Sequence, residues 1–177
     1  MDTLNIFILV GAAVFILLLW MIVGFRHLSH LRSKIHEQWE VVNEALRKRQ
    51  SLVPNLIETF RKVIKDQGLL VNKLIKEKNL AAKEDGPGEK KIEFEYDLTS
   101  SINELIELGN SNEVLKKDTN FLELRKEIGD LEESTLERTE KYNEMVRSYN
   151  KHRRLFVLKP VSWLFRFRME NIFEMEV

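Results

Sequence analysis

Cysteine is absent from all 177 residues, which removes disulfides, thiolate metal sites, a cysteine nucleophile and a lipid-modified cysteine together. Glycine and proline are scarce, at seven and three, too few for the tight turns of a β-sandwich or barrel. An excess of charge of either sign is also missing, since 28 Lys and Arg offset 28 Asp and Glu. A nucleic-acid binder would carry a net basic field or stripe, so no nucleic-acid partner is expected. Phosphate-binding Gly loops, nucleophile elbows, zincin motifs and calcium loops do not occur. Of the four histidines, His27 and His30 stand three apart on a helix, but no third ligand accompanies them. His36 and Trp39 share the same spacing, which more often means packing. Carboxylate pairs such as Glu132-Glu133 lie among solvated helix charges. The sequence therefore predicts no catalytic residue, no cofactor, no metal and no enzyme.

What the chain does have is one long apolar run. From Leu4 to Phe25 the only polar side chain is Asn5. At ~1.5 Å per residue a helix over this run reaches about 33 Å, enough to cross a hydrocarbon core of ~30 Å. Leu4, Ile6, Phe7, Leu17, Leu18, Trp20 and Phe25 are its candidate anchor residues, with Trp20 placed for the inner interface. A cleaved signal peptide would have a shorter apolar region after a basic start. Here Asp2 stands at the start, and the small residues Gly11-Ala12-Ala13 lie inside the run. The expectation is an uncleaved signal-anchor with the bilayer as its partner. Arg26, Arg32 and Lys34 follow the run and no basic residue precedes it, so residues 1–3 are expected outside and the bulk of the chain in the cytoplasm of a bacterium.

Helical periodicity continues beyond the anchor. Leu28, Leu31, Ile35, Trp39, Val42 and Leu46 form one stripe. At Pro54 two readings compete: a proline inside a continuous helix, at a cost of ~3 kcal/mol, or a new helix capped by Ser51 with Pro54 in its first turn. The sequence favours the second. That helix would carry Leu56, Phe60, Val63, Leu70 and Leu74, with a bend at Gly68. Glu84-Asp85-Gly86-Pro87-Gly88-Glu89 reads as a linker. A shorter helix with Leu98, Ile102, Leu105 and Ile106 is expected to stop at Gly109-Asn110-Ser111-Asn112. The last helix is predicted from Asn120, with Glu123 in a capping box. Its stripe is Phe121, Leu124, Ile128, Leu131, Thr135, Arg138, Tyr142, Met145 and Tyr149. Thr135 and Arg138 mark either a polar layer or a turn of the stripe toward solvent.

The fold class predicted is all-α: a transmembrane helix (4–25) continuing into an antiparallel four-helix up-and-down bundle (26–155), then a basic aromatic tail (156–177). The fourth helix returns toward the membrane. Arg153, Arg154, Lys159, Arg166 and Arg168, interleaved with Phe156, Trp163, Phe165 and Phe167, are candidate membrane-surface contacts. Alternatively these aromatics close the base of the bundle. Tyr142-Asn143 and Tyr149-Asn150 stand seven apart, almost two turns, so each residue type falls on one face. Buried rings with partnered hydroxyls are the structural reading; an Asn pair contacting another chain is the other.

Two stretches are similar to the LemA family of bacterial membrane proteins. The first runs from Trp39 through the basic cluster at Arg47-Lys48-Arg49 to Leu52-Val53-Pro54-Asn55-Leu56, with Leu46 on the stripe between. The second runs from Thr119-Asn120-Phe121 to the two Tyr-Asn pairs. Three departures stand out: Ser51 where the family usually has Asp, Asp66-Gln67 in place of a His-Glu pair, and Phe156 separated from Pro160 where the family tends to a Phe-Pro pair. The resemblance implies a four-helix bundle on a membrane helix and little about activity, although some members are associated with membrane organisation. Together these readings predict a membrane-anchored, non-enzymatic adaptor or scaffold. The partners expected are an unknown protein, a membrane protein among the candidates, or further copies in a self-assembling organiser of the membrane. A sensor or an enzyme with an unrecognised helical site is the remaining alternative.

Overall fold

The structure, a computed structural model, describes residues 3–64 and 68–174, with side chains from Asn5 onward. Asp66-Gln67 and the side chain of Leu4 lie outside the described residues. The described residues form five α-helices and no strand: α1 (Thr3–Val63), α2 (Gly68–Ala81), α3 (Glu89–Ser111), α4 (Thr119–Arg154) and α5 (Lys159–Leu164), with a single 3-10 turn at Leu115–Lys117. They gather into two compact units. One comprises Met1–Glu37 with Glu144–Glu170, the other Gln38–Asn143 with Asn171–Val177. Helices α1 and α4 each contribute to both.

The predicted break at Ser51 does not occur. Helix α1 runs through Pro54, and the Ser51 hydroxyl donates back to the Lys48 carbonyl at 2.7 Å instead of capping a new helix. The proline lies on the exposed side, while Arg49 and Gln50 before it and Val53, Leu56, Ile57 and Phe60 around and after it are buried. Packing on both sides of the proline outweighs the ~3 kcal/mol that a mid-helix proline costs. Helix α1 ends at Val63 instead, so Leu70 and Leu74 belong to α2, and the bend expected at Gly68 borders residues 65–67, which lie outside the described residues.

Two further boundaries differ from expectation for equally local reasons. Helix α3 continues past Gly109 to Ser111. A Cβ at Gly109 would stand 2.3 Å from Phe121 Cζ and 2.9 Å from Phe60 Cζ, so this glycine serves close packing and not chain termination. Helix α4 is capped by Asp118, whose Oδ1 accepts the Phe121 amide at 2.8 Å, so the capping box expected around Glu123 is replaced by a simple aspartate cap.

Within the second unit, side-chain pairs fix the helix directions. Phe60 meets Phe121 and Trp39 meets Tyr142, so α1 and α4 are antiparallel. Lys91 reaches the Ala81 carbonyl while Lys73 reaches Glu104, so α2 and α3 are antiparallel. Arg125 reaches Asn110 across the α3–α4 turn. These pairings give the up-down-up-down order of a four-helix bundle. Its core holds Val53, Leu56, Phe60, Leu74, Leu98, Ile102, Leu105, Phe121 and Ile128, all at most 1% exposed. The α4 stripe follows expectation through Thr135 and Tyr142, but Met145 is exposed and Val146 is buried in its place. Thr139 is likewise buried beside a half-buried Arg138, while Tyr149 is buried as expected, so the inward face takes in residues beside the stripe as well as on it.

In the first unit Leu28 and Ile35 of α1 are buried. Gly24 packs closely beneath α5: a Cβ there would lie 3.1 Å from both Leu158 and Val161 side chains. Helix α5 starts with Pro160 in its first turn, where a missing amide costs nothing. Along α1 from Ile6 to Val23 every large apolar side chain apart from Trp20 and Met21, which are partly covered, is exposed, with Phe7 at 76%.

Candidate membrane-surface site

The two Tyr-Asn pairs of α4 hold the extended segment that follows α5. In the first unit the Tyr149 hydroxyl donates to the Arg168 carbonyl at 3.0 Å. The Asn150 amide donates to the Glu170 carbonyl at 2.9 Å, and its oxygen accepts the Glu170 N–H at 3.2 Å. In the second unit Tyr142 donates to the Asn171 carbonyl at 2.8 Å, and Asn143 makes the same two-bond pairing with Phe173, at 2.9 and 2.7 Å. A side-chain amide has the same donor and acceptor as a peptide group, so each Asn satisfies backbone that no strand or helix would otherwise satisfy. The bonds go to main chain; the one side-chain anchor among them is Phe173, fully buried with its ring 5.0 Å from Trp39. Trp39 in turn donates its indole N–H to the Asp85 carbonyl at 2.6 Å. The pairs thus do recognise a chain, and it is their own. Burial raises the Tyr149 phenol above its usual value, which keeps the proton that Arg168 receives.

Fixing residues 168 and 170 also fixes what precedes them. Arg32 pairs with Glu170 at 2.8 Å, and Arg153 donates to the Phe167 carbonyl at 3.1 Å. Phe165 and Phe167 pack on Phe25, the last residue of the apolar run, at 4.8 and 5.6 Å. Arg153, Arg154, Lys159, Arg166 and Arg168 then line one open groove of about 900 Å³, with Trp163 and Phe167 among its walls. Among the described residues none of these five cations lies within ion-pair distance of a carboxylate. Arg153 Nε is buried without a hydrogen-bond partner among the described residues. Arg166 is the one described non-glycine residue with a left-handed backbone, at φ 53°. Phe156 and Trp163 stand 90% and 82% exposed beside them.

The remaining motif residues are structural in position. Leu46 and Leu56 are buried, Leu52 half-buried, and Pro54 and Asn55 exposed. Arg49 is the exception to its type: 1% exposed, it meets Glu95 at 2.7 Å and Thr99 at 2.7 Å. Glu95 also accepts from Gln50 at 2.6 Å and from Lys91 at 3.0 Å. Both carboxylate oxygens of Glu95 are taken by these donors; Arg49 also lies 3.6 Å from Glu132, and its Nε is buried without a hydrogen-bond partner among the described residues. Sequence reasoning missed Glu95 and Lys91. The signal was present, because residues 91, 95, 98, 102 and 105 continue one helical stripe and place two charges on its apolar face.

His27 does not join His30 at a common site; its ring meets that of His152 at 5.3 Å. Among the described residues no group of three His, Asp or Glu is placed to hold a metal. No curated protein matches the chain. The model of the LemA family matches residues 38–177, a stretch that begins next to Trp39 and takes in the Pro54 motif, both Tyr-Asn pairs and the segment they hold. This chain belongs to the LemA family.

Proposed function

We propose that this chain is a non-enzymatic, single-pass adaptor or scaffold of the bacterial cytoplasmic membrane, with residues 4–25 as the span, residues 26–155 as a cytoplasmic bundle and residues 156–177 as a tail at the lipid surface. One observation carries the reading: the run from Ile6 to Val23 exposes nearly all its large apolar side chains on a helix long enough to cross a bilayer. A buried core helix would cover them, and exposed apolar surface of this extent marks a membrane or protein contact. The engagement of both Glu95 oxygens by Arg49, Gln50 and Lys91, and the membership of a family not known for enzymes, support a binding role over catalysis. Arg153, Arg154, Lys159, Trp163, Arg166 and Arg168 then form a second contact with the same surface.

The test is fractionation. Full-length protein is expected to stay in carbonate-washed membranes, and a chain lacking residues 4–25 is expected in the soluble fraction. A reporter on Val177 should be active on the cytoplasmic side; activity only outside would overturn the orientation. Proximity labelling from the bundle would then identify its neighbours. Labelling confined to further copies of this chain would make the role self-assembly rather than adaptation.

A further inference from the structure

The groove beside α5 has features that a general electrostatic attraction to membranes does not require. Five cations converge there without a carboxylate partner among the described residues. Other exposed cations of the chain do find carboxylates, as Arg47 does with Asp85, Lys48 with Glu44, Lys62 with Glu58 and Lys141 with Glu137, but what sets the groove apart is five cations gathered at one place. An unpaired arginine cluster with two walls of aromatic ring is suited to an oxyanion attached to an apolar body. Arg166 ends α5 in a Schellman turn, its left-handed backbone set by the Phe167 N–H on the Ser162 carbonyl at 3.0 Å and its own N–H on the Trp163 carbonyl at 3.4 Å, and this turn carries its side chain to the groove wall. The apolar surroundings narrow the class of ligand. Phe165 and Phe167 rest on Phe25, and Gly24 lies under α5, so within this unit the groove adjoins the end of the apolar run. Exposed Phe156, Val157, Trp163 and Leu164 surround the cations with acyl-compatible surface.

We infer that this groove is a binding site for an anionic glycerophospholipid, its phosphate held by Arg154, Lys159, Arg166 and Arg168 and its glycerol and upper acyl carbons lying along Trp163 and Phe167. The site rests on the membrane reading above and makes it specific: the chain selects the lipids around its anchor. Arg153 positions the wall, since it ties Phe167 through its carbonyl.

The experiment is native mass spectrometry of the full-length chain, released in mild detergent with equal phosphatidylglycerol and phosphatidylcholine. Phosphatidylglycerol should be retained in clear excess. Each charge near a lipid surface is worth about fivefold in binding, so Arg166→Gly with Arg168→Gln should lower retention by roughly 25-fold. Arg154→Gln with Lys159→Gln, both at exposed positions, should do the same should the first pair fail to fold by helical circular dichroism. Arg61→Gln with Lys62→Gln, exposed on the other unit, should change nothing. Equal retention of the two lipids, or retention unchanged in both groove variants, would overturn the inference. Displacement of the lipid by millimolar inorganic phosphate would overturn it too, leaving a free-anion site. Carbonate-washed membranes separate the two failures: a chain that stays in the membrane without lipid preference refutes the groove alone, whereas a chain lost from the membrane refutes the anchor and the groove together.

Discussion

Each unit gathers positive charge at one place, and the two clusters treat it in opposite ways. In the second, Arg49 and Lys91 are 1% and 2% exposed and converge on Glu95, itself fully buried. In the first, Arg154, Lys159, Arg166 and Arg168 are exposed and meet no carboxylate among the described residues. A buried cation must bring its anion along, because desolvation costs several kcal/mol per ion. A cation held open to solvent keeps its hydration and remains available to an anion from outside. The difference separates charge that serves to register four helices from charge that waits for a ligand, and each half of that contrast can be tested.

The largest expected effect lies in the buried half. Glu95→Ala leaves two cations inside the bundle without their common anion and should destabilise it by about 3–5 kcal/mol, read as a lowered thermal midpoint by circular dichroism. Arg168→Ala, the matching change in the groove, should stay within about 0.5 kcal/mol of the parent. Equal losses would erase the contrast. Replacing Arg49, Lys91 and Glu95 together by apolar residues of similar volume should recover most of the loss, since the penalty belongs to the unpaired charges.

Next comes the segment that joins the two behaviours, held by α4. Asn143→Ala removes both bonds to the buried Phe173 backbone and should cost about 1–3 kcal/mol. The sharper readout is local: trypsin should cut after Arg168 faster in this variant, before global unfolding. Unchanged cleavage would mean that Phe173, seated against Trp39, anchors the segment alone.

How much of this was legible in the sequence follows from how far apart the interacting residues stand. The apolar run, the helical class and the stripe from Leu28 to Leu46 are set by neighbours within a few turns, so periodicity displays them. The continuity of α1 through Pro54 is not local. It depends on partners of Val53, Leu56 and Phe60 on other helices, and the same is true of Gly109, whose role is decided by the Phe121 ring. Local rules therefore read a helix start and a helix stop where tertiary packing had other uses for both residues. The Tyr-Asn pairs were legible as a motif with two readings, but their ligand lies 19 to 30 residues away in an irregular segment that no periodicity marks. The basic aromatic groove was visible as composition; its lack of carboxylate partners and the backbone of Arg166 needed coordinates.

A smaller effect is expected from Tyr149→Phe. At neutral pH it removes one hydrogen bond to the Arg168 carbonyl, worth about 1 kcal/mol. The variant also changes the alkaline limb. Burial raises the folded phenol above its ordinary value near 10, so the unfolded chain surrenders this proton first as the pH climbs. The contribution is whole below about pH 10 and is lost as the pH rises through the folded value. Denaturation midpoints of parent and variant should therefore draw together from pH 10 upward. A constant gap would show that the proton is not what Tyr149 supplies.

A small change in stability, and the one that most directly joins the two halves of the contrast, is expected from Arg166→Gly. At φ 53° a side chain is crowded against its own carbonyl, a strain of roughly 1–2 kcal/mol for an L-residue. Glycine escapes that strain but loses more chain entropy on folding, so the net gain should be only about 0.5–1 kcal/mol. Thermal unfolding should move upward slightly while retention of anionic lipid falls. A residue kept for packing would show the opposite pairing, with stability falling and lipid unaffected. The gain in stability follows from the helix-ending turn alone, where glycine is favoured with or without a ligand, so the loss of lipid retention is the half of the result that decides for the groove.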